Sequence, residues 1–285
     1  MAELNEKIGF IGGGNMAEAI LGALIRSGIS KPSRLQASDV SAERRQYLEK
    51  TYGITATDKN EAVFLACDVI LLAVKPQVID AVLTELGDIL AEKKPTASRK
   101  LIISIAAGIP IKRIEERLYD RLDTTAATDL PIVRVMPNTP ALVMAGMSGI
   151  SVNRNATSDD KDIAMAILAA TGMVLEFNEE ALNAVTAVSG SGPAYVFYLV
   201  EAMIEAGVNL GLSGAEATTL TLQTLKGAVK LLEESRESAR ELRRRVTSPG
   251  GTTEAALKVM DNGKVKEQII AALAAACSRA HELSG

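Results

Sequence analysis

Two short stretches concentrate the residues able to do chemistry. One is Ile11-Gly12-Gly13-Gly14-Asn15-Met16-Ala17; the other is Ser248-Pro249-Gly250-Gly251-Thr252-Thr253. In the first, an apolar run from Ile8 to Ile11 passes directly into glycines and then into an apolar helical pattern, Ala17 to Ile25. This is the G-x-G-x-x-A arrangement of a dinucleotide loop. Gly12 permits the tight turn, Gly14 keeps a Cβ out of the way of a pyrophosphate, and Ala17 lets helix and strand pack closely. The free N–H groups of the helix start then face the phosphates. In the second stretch, hydroxyls and bare backbone N–H groups open another helix, a place suited to a small anion such as a carboxylate.

The scarce residue types narrow the chemistry further. The chain has one histidine, His281, and two cysteines, Cys67 and Cys277. No cluster has metal-ligand spacing, so no metal is expected. Neither loop carries a histidine that could act as general acid or base. Two distant cysteines read as reduced core thiols of a cytoplasmic protein. A formal net charge of −4 argues against nucleic acid or an anionic membrane as partner. No basic region followed by a long apolar run marks a signal peptide, and no apolar stretch is long enough for a membrane span.

The elements that must position these loops follow from hydrophobic pattern. A length of 285 residues suggests two domains, and 47% apolar residues with only 3% aromatic imply a core of Ala, Leu, Ile and Val. Strands are predicted at Ile8 to Ile11, Arg34 to Asp39, Ile54 to Ala56, Asp68 to Val74, Leu101 to Ile105, Pro131 to Val135, Gly149 to Asn153 and Gly172 to Phe177. Helices fall between them at Ser41 to Tyr52, Asn60 to Ala66, Gln77 to Ala91, Ile111 to Leu118 and Asp159 to Ala170. A polar turn runs from Lys93 to Arg99, and Asp123 to Asp129 reads as a loop. Such alternation is the signature of a doubly wound, Rossmann-type α/β sheet over residues 1–178.

In such a sheet, ligands lie beyond the carboxyl ends of the strands. That places Ala73, Val74, Lys75 and Pro76 beside the cofactor, with Ala106, Ala107 and Gly108 small enough for a flat ring to approach. Asn138 and Thr139, flanked by Pro137 and Pro140, read as two displayed polar side chains facing nicotinamide or substrate. Asp39, closing the second strand, is of the kind that accepts ribose hydroxyls and repels a 2′-phosphate, which favours NAD. Arg44 and Arg45 follow closely; they could hold a 2′-phosphate or form a solvated helix face, so the choice between NADP and NAD stays open.

From Glu179 to Gly285 no strand is predicted. Helices are expected at Glu179 to Val188, Ala194 to Gly207, Ala215 to Glu234, Ser235 to Arg245, Ala255 to Met260 and Val265 to Leu283. The segment Ala215 to Glu234 is apolar on nearly every side, which usually means burial. In a small helical domain, residues 179–285, either an interlocking homodimer or burial within the one chain would explain that.

The motifs taken together resemble those of the pyrroline-5-carboxylate reductase family. They are G-G-G-N-M-A at the first loop, A-V-K-P at 73–76, M-P-N-T-P at 136–140, S-G-S-G-P-A-Y at 189–195 and V-T-S-P-G-G-T-T at 246–253. They recur in the family's order across nearly the whole chain. The resemblance implies the last step of proline biosynthesis, in which NADPH or NADH delivers a hydride to the C=N carbon of 1-pyrroline-5-carboxylate to give L-proline. It also implies a Rossmann domain followed by an all-α dimerisation domain, often within larger rings of dimers.

Carried over by residue, Gly12, Gly14, Asn15 and Met16 fit the pyrophosphate loop, and Asn60 a position near the adenosine ribose. Ala106 to Gly108 with Asn138-Thr139 fit segments lining the nicotinamide. Ser248, Gly250, Gly251, Thr252 and Thr253 fit the substrate loop. The substrate carboxylate would rest on its amides and Thr253, the catalytic candidate, would bond near the ring nitrogen. Glu179 fits an acidic position near the substrate. Two departures stand out: Ser238-Ala239 replaces a common His-Pro pair, and Arg244 or Arg245 replaces a common Asp or Asn. Rival readings are another imine or β-hydroxy-acid oxidoreductase of the same architecture, and a nucleotide-binding regulator without turnover. Hydroxy-acid enzymes need a general base, commonly a Lys, on a helix that here, from Ala194 to Gly207, has none.

Overall fold

The computed structural model describes residues 3–93, 99–120, 122 and 124–284. The chain divides into two compact units, residues 1–190 with 277–285, and Ser191–Ala276. The division falls at Gly190 rather than at the end of the last strand. The intervening turns, Glu179–Ala181, α8 (Leu182–Val185) and the π-turn Thr186–Gly190, stay with the sheet. Gly149 shows why: a Cβ there would strike Val185 and Leu182 of α8.

The first unit alternates strand and helix: β1 (Ile8–Ile11), α1 (Asn15–Arg26), β2 (Leu35–Ser38), α2 (Ala42–Tyr52), β3 (Thr55–Thr57), α3 (Asn60–Ala66), β4 (Val69–Leu72), α4 (Ile79–Lys93), β5 (Leu101–Ser104), α5 (Ile111–Leu118), α6 (Thr124–Thr128), β6 (Ile132–Met136), β7 (Gly146–Val152), α7 (Ser158–Ala169) and β8 (Gly172–Glu176). Among the described residues the sheet has the order β3-β2-β1-β4-β5-β6-β7-β8. Every pairing is parallel except β6 with β7. The loop expected over 123–129 is instead the short helix α6; the three threonines and two alanines of Thr124–Thr128 form a single turn that a search for longer apolar periodicity does not register. Residues 94–98 of the expected polar turn, and residue 123, lie outside the described residues.

Strand residues alternate between two cores, as a sheet covered on both faces requires. Ile8, Phe10, Val69, Leu71, Leu101, Ile103, Val133 and Val135 pack with α1 and α7 residues such as Leu21, Leu24 and Ile167. Ile11, Ile70, Leu72, Ile102 and Ile132 pack on the other face with Phe64, Leu83, Leu86 and Ile114. Each central strand therefore reads as an unbroken apolar run because both of its faces are buried. Caps punctuate the helices: Ser41 accepts from Arg44 N–H, and Thr157 forms a capping box with Asp160.

The second unit is helical: α9 (Gly192–Asn209), α10 (Gly214–Ser235), α11 (Ala239–Arg245), α12 (Thr252–Asn262) and most of α13 (Val265–Ser284). Along α10 only Ala217 and Thr221 are buried, while Leu220, Leu222, Val229, Leu231 and Leu232 are exposed in the single chain. A helix whose apolar face meets water is short of a partner. The last turns of α13 belong to the first unit, where Leu283 lies against Gly108 and Ser284 donates to Asn183 Oδ1 at 3.2 Å.

Candidate active site

The carboxyl ends of β1, β2, β4, β5 and β6 share one edge of the sheet, and every residue predicted to touch the dinucleotide is there or just beyond it. Strand order reverses between β1 and β4, the switch point at which such sheets bind nucleotides. Gly12 has φ +95°, and a Cβ on it would lie 2.8 Å from the Ala73 carbonyl oxygen. The turn after β1 thus packs on the segment after β4, bringing Gly12, Ala73 and Val74 together.

Gly14 is different. Its φ of −66° suits any residue, and a Cβ there would meet nothing within 4 Å. It is the N-cap of α1, yet no side chain caps that helix, in contrast to α2, α7 and α10. Open space over an uncapped helix N-terminus is what a pyrophosphate requires. The residues present therefore fit a dinucleotide.

Other predicted positions are tied more tightly than their sequence suggests. Asp39 Oδ2 accepts the Gly13 N–H and its Oδ1 accepts the Ser41 N–H, at 2.9 and 2.8 Å. Asn60 Oδ1 accepts from Ser38 Oγ at 2.7 Å, so it stands beside the end of β2, while its Nδ2 donates to Glu85. The expectation that Asn138 and Thr139 are both displayed needs correction. Thr139 is exposed, but Asn138 Oδ1 accepts Met147 N–H at 2.8 Å and its Nδ2 donates to Ser189. The amide stitches the end of β6 to its neighbours because an asparagine can satisfy a donor and an acceptor at once. Gly108 also differs from expectation. It has φ +74°, and a Cβ there would crowd Leu283 of α13, so its small size serves the chain's own last helix. Ala107 is exposed and Ala106 buried. Lys75 is exposed and precedes Pro76, which opens a short turn.

Glu179 holds the fold together. Its Oε1 accepts Ile111 N–H at 2.7 Å and pairs with Arg134, 2.9 Å away on β6. Arg134 is only 6% exposed. A buried guanidinium needs such a partner, a structural duty that sequence reading did not assign to Glu179. Nothing local in the sequence marked the pair, whose members are 45 residues apart. Cys67 is buried, and that burial pushes its thiol up to about 11, so it is an inert core residue rather than a nucleophile.

In the second unit, Gly250 has φ +71° and Gly251 is the N-cap of α12, again without a side-chain cap. The Gly250 N–H donates to Glu254 Oε2 at 2.7 Å, so one of the amides expected to hold substrate already meets a carboxylate of the chain. Thr252 and Thr253 open the helix. Among the described residues neither hydroxyl has a hydrogen-bond partner, whereas Thr218, Thr219 and Thr247 each donate to the carbonyl four residues back.

A family model described as pyrroline-5-carboxylate reductase dimerisation matches residues 179–283, and one described as NADP oxidoreductase coenzyme F420-dependent matches residues 7–108. The chain is 42% identical to the pyrroline-5-carboxylate reductase of Synechocystis, covering 97% of this chain and 98% of that protein. It belongs to the pyrroline-5-carboxylate reductase family. A solved pyrroline-5-carboxylate reductase from Coxiella burnetii is 41% identical with a TM-score of 0.87, covering 99% of this chain and 100% of that one. The Plasmodium falciparum pyrroline carboxylate reductase, solved with NADP bound, is 32% identical with a TM-score of 0.86, and the match covers both chains fully. Membership accounts for the pairing of a Rossmann unit with a helical one. The cofactor is of the NAD(P) type.

Proposed function

We propose that the chain is a pyrroline-5-carboxylate reductase, reducing the C=N bond of 1-pyrroline-5-carboxylate to give L-proline. The observation that carries this reading is that the chain opens two helices, α1 and α12, on glycines with no side-chain cap, one in each unit. One suits a pyrophosphate and the other a small carboxylate. Bound NAD(P)H supplies the hydride.

The chain's own residues bind and align. Gly12 and Gly14 shape the loop that receives the pyrophosphate. Ser248 to Thr253 receive the substrate, with the N–H groups of Thr252 and Thr253 open to its carboxylate. The Thr253 hydroxyl, without a hydrogen-bond partner among the described residues, is the group we assign to the ring nitrogen. A protonated cyclic imine is already electrophilic and the product amine can take its proton from water, so the chain needs no histidine here. Alignment of this kind supplies several kcal/mol, on the order of 7–11 in the best cases. α9 contains no lysine, which disfavours hydroxy-acid oxidation.

The exposed apolar face of α10, together with the match to a dimerisation family, supports a homodimer through the helical unit, and such dimers can assemble into a larger ring. Among the described residues no helix is long and apolar enough to cross a membrane. We place the reaction in the cytoplasm, a reading supported by two free cysteines.

The test is loss of nicotinamide absorbance when purified protein meets 1-pyrroline-5-carboxylate, run beside a β-hydroxy acid and a larger cyclic imine. Turnover should be confined to, or much the fastest with, the first. No oxidation of NADH or NADPH with that substrate would refute the reading.

A further inference from the structure

The turn after β2 carries both a group that would reject a 2′-phosphate and two that could hold one. The structure shows what each is doing. Asp39 is fixed by two backbone N–H groups, Gly13 at 2.9 Å and Ser41 at 2.8 Å. An ionised carboxylate offers roughly four acceptor sites, so about two remain for further donors. Being bonded to the glycine loop itself, this carboxylate sits where the adenosine side of a bound dinucleotide must pass.

One of the two cations, Arg44, is withdrawn from that place. Arg44 donates through Nε to the Gly13 carbonyl and forms an ion pair with Glu18, in the first turn of α1. Both side chains are largely buried, at 23% and 18% exposure. Its guanidinium also lies 5.0 Å from the centre of the Tyr47 ring. Glu18 is anchored in turn by the hydroxyls of Tyr47 and Tyr52, at 2.9 and 2.8 Å. Burial alone would raise its pKa, but the bonds from Arg44, Tyr52 and Tyr47 outweigh it and hold the carboxyl below its ordinary value. Arg45 spends Nη1 on the carbonyls of Asp39 and Val40, at 2.7 and 3.1 Å. Arg44 therefore keeps no charge free for a ligand, while Arg45 is held by neutral carbonyls. Arg44 is neutralised by a carboxylate 26 residues away in sequence, which no local pattern reveals.

We propose that this chain takes NADH in preference to NADPH, with Asp39 accepting ribose hydroxyls and opposing a 2′-phosphate, and with Glu18 as the positioning residue that withholds Arg44 from that phosphate. The proposal rests on the dinucleotide site described above, and it adds which of the two dinucleotides that site selects. Hydroxyl donors match the spare acceptor capacity of Asp39. A dianionic phosphate meets a fixed negative charge, with the Arg44 guanidinium already paired to Glu18.

Calorimetric titration of the unmodified protein with NADH and NADPH, in the absence of substrate, tests this without turnover. The expected result is a dissociation constant at least about tenfold lower for NADH. The same order should hold for 5′-AMP over adenosine 2′,5′-bisphosphate, which report the adenosine end alone. Asp39→Asn keeps an oxygen for the Gly13 N–H while removing the charge, and should shrink the NADPH-to-NADH ratio about tenfold, mainly by tighter NADPH binding. Glu18→Gln should improve NADPH binding a few-fold with NADH little changed; a merely structural role for Glu18 would weaken both alike.

Equal or tighter binding of NADPH by the unmodified protein would overturn the proposal while leaving the reductase reading intact. Such a result would point instead to Lys59, which is exposed at the start of α3 and in no ion pair among the described residues. An unchanged ratio in Asp39→Asn would overturn the role of Asp39, and unchanged NADPH binding in Glu18→Gln the role of Glu18. If neither dinucleotide binds, the site itself is misassigned.

Discussion

Replacing Gly14 and Gly12 by alanine, one at a time, separates the two duties of the first glycine loop. At Gly14 the new methyl enters open space, and the backbone angles of −66° and −179° are ordinary for alanine. Alanine is a poorer N-cap than glycine, a loss of up to about 1 kcal/mol. The lower entropy of the unfolded chain returns about 0.4–1 kcal/mol. The two nearly cancel, and Tm should move by no more than about 3 °C. Affinity for NAD(P)H should nevertheless fall at least tenfold, about 1.4 kcal/mol, because the methyl occupies the approach of the pyrophosphate. Gly12→Ala is the converse. Its positive φ costs an L-residue about 1–2 kcal/mol. The methyl would also press on the Ala73 carbonyl oxygen at 2.8 Å, its carbon at 2.9 Å and Val74 Cγ1 at 3.0 Å. Those atoms follow a central strand and yield little, adding about 1–3 kcal/mol. The sum of about 2–5 kcal/mol lowers Tm by roughly 5–15 °C. Thermal melts read by circular dichroism, with NADH and NADPH titrations on the same samples, give both numbers. A Gly14→Ala variant that binds like the unmodified protein would show that the phosphates do not lie over that residue. A Gly14→Ala variant as unstable as Gly12→Ala would refute the packing argument.

Three further outcomes are expected. Thr253→Ala should lower kcat at least about tenfold with dinucleotide affinity unchanged, since the hydroxyl serves the substrate; unaltered kcat in steady-state assays removes Thr253 from the reaction. Leu222→Asp, on the exposed face of α10, should shift the protein towards monomer in sedimentation runs, because it trades about 1.5–3 kcal/mol of leucine burial for a charge in an apolar contact. Asp160, whose side chain is 8% exposed, pairs with Arg99 and closes the cap of α7. Burial pushes its pKa up, but the bonds from Arg99 and Thr157 prevail and hold it below its ordinary 3.8. A depressed pKa adds stability that is complete above the unfolded value and disappears as pH falls towards the folded one. Asp160→Asn should therefore cost about 2 kcal/mol at neutral pH and progressively less below about pH 4, in urea melts across that range. A cost independent of pH would show that the pair's charge contributes nothing.

The parts of this molecule that sequence reveals are those governed by neighbours along the chain. Strands β1, β4, β5 and β6 are legible as apolar runs because both faces are buried, and the two glycine loops because backbone geometry restricts which residues can stand there. The polar side chains are where local reading falls short. Asn138 looks displayed between two prolines, yet its amide is consumed by Met147 and Ser189. Glu179 looks free to meet a substrate, yet it balances Arg134 across 45 residues. Arg44 looks like a solvated helix residue, or a phosphate ligand, until Glu18 is placed beside it. In each case the decisive partner is distant in sequence, and an unsatisfied donor or acceptor in one element is indistinguishable from a satisfied one until the fold brings its partner. The short helix α6 escaped for a different reason, since a single turn carries no repeat to detect.

The last turns of α13 belong to the sheet unit, with Leu283 on Gly108 and His281 and Ser284 on Asn183, which they reach across 98 and 101 residues. During synthesis the ribosome therefore releases a nucleotide-binding unit that still lacks its final piece while the whole helical unit is being made. At about 5–20 residues per second that interval is roughly five to twenty seconds. Over it the surface around Gly108 and Asn183 stands open in the nascent chain. The order of translation thus delivers the sheet well before the α13 turns that cover it. A substitution at Leu283 or Ser284 acts on that closing contact.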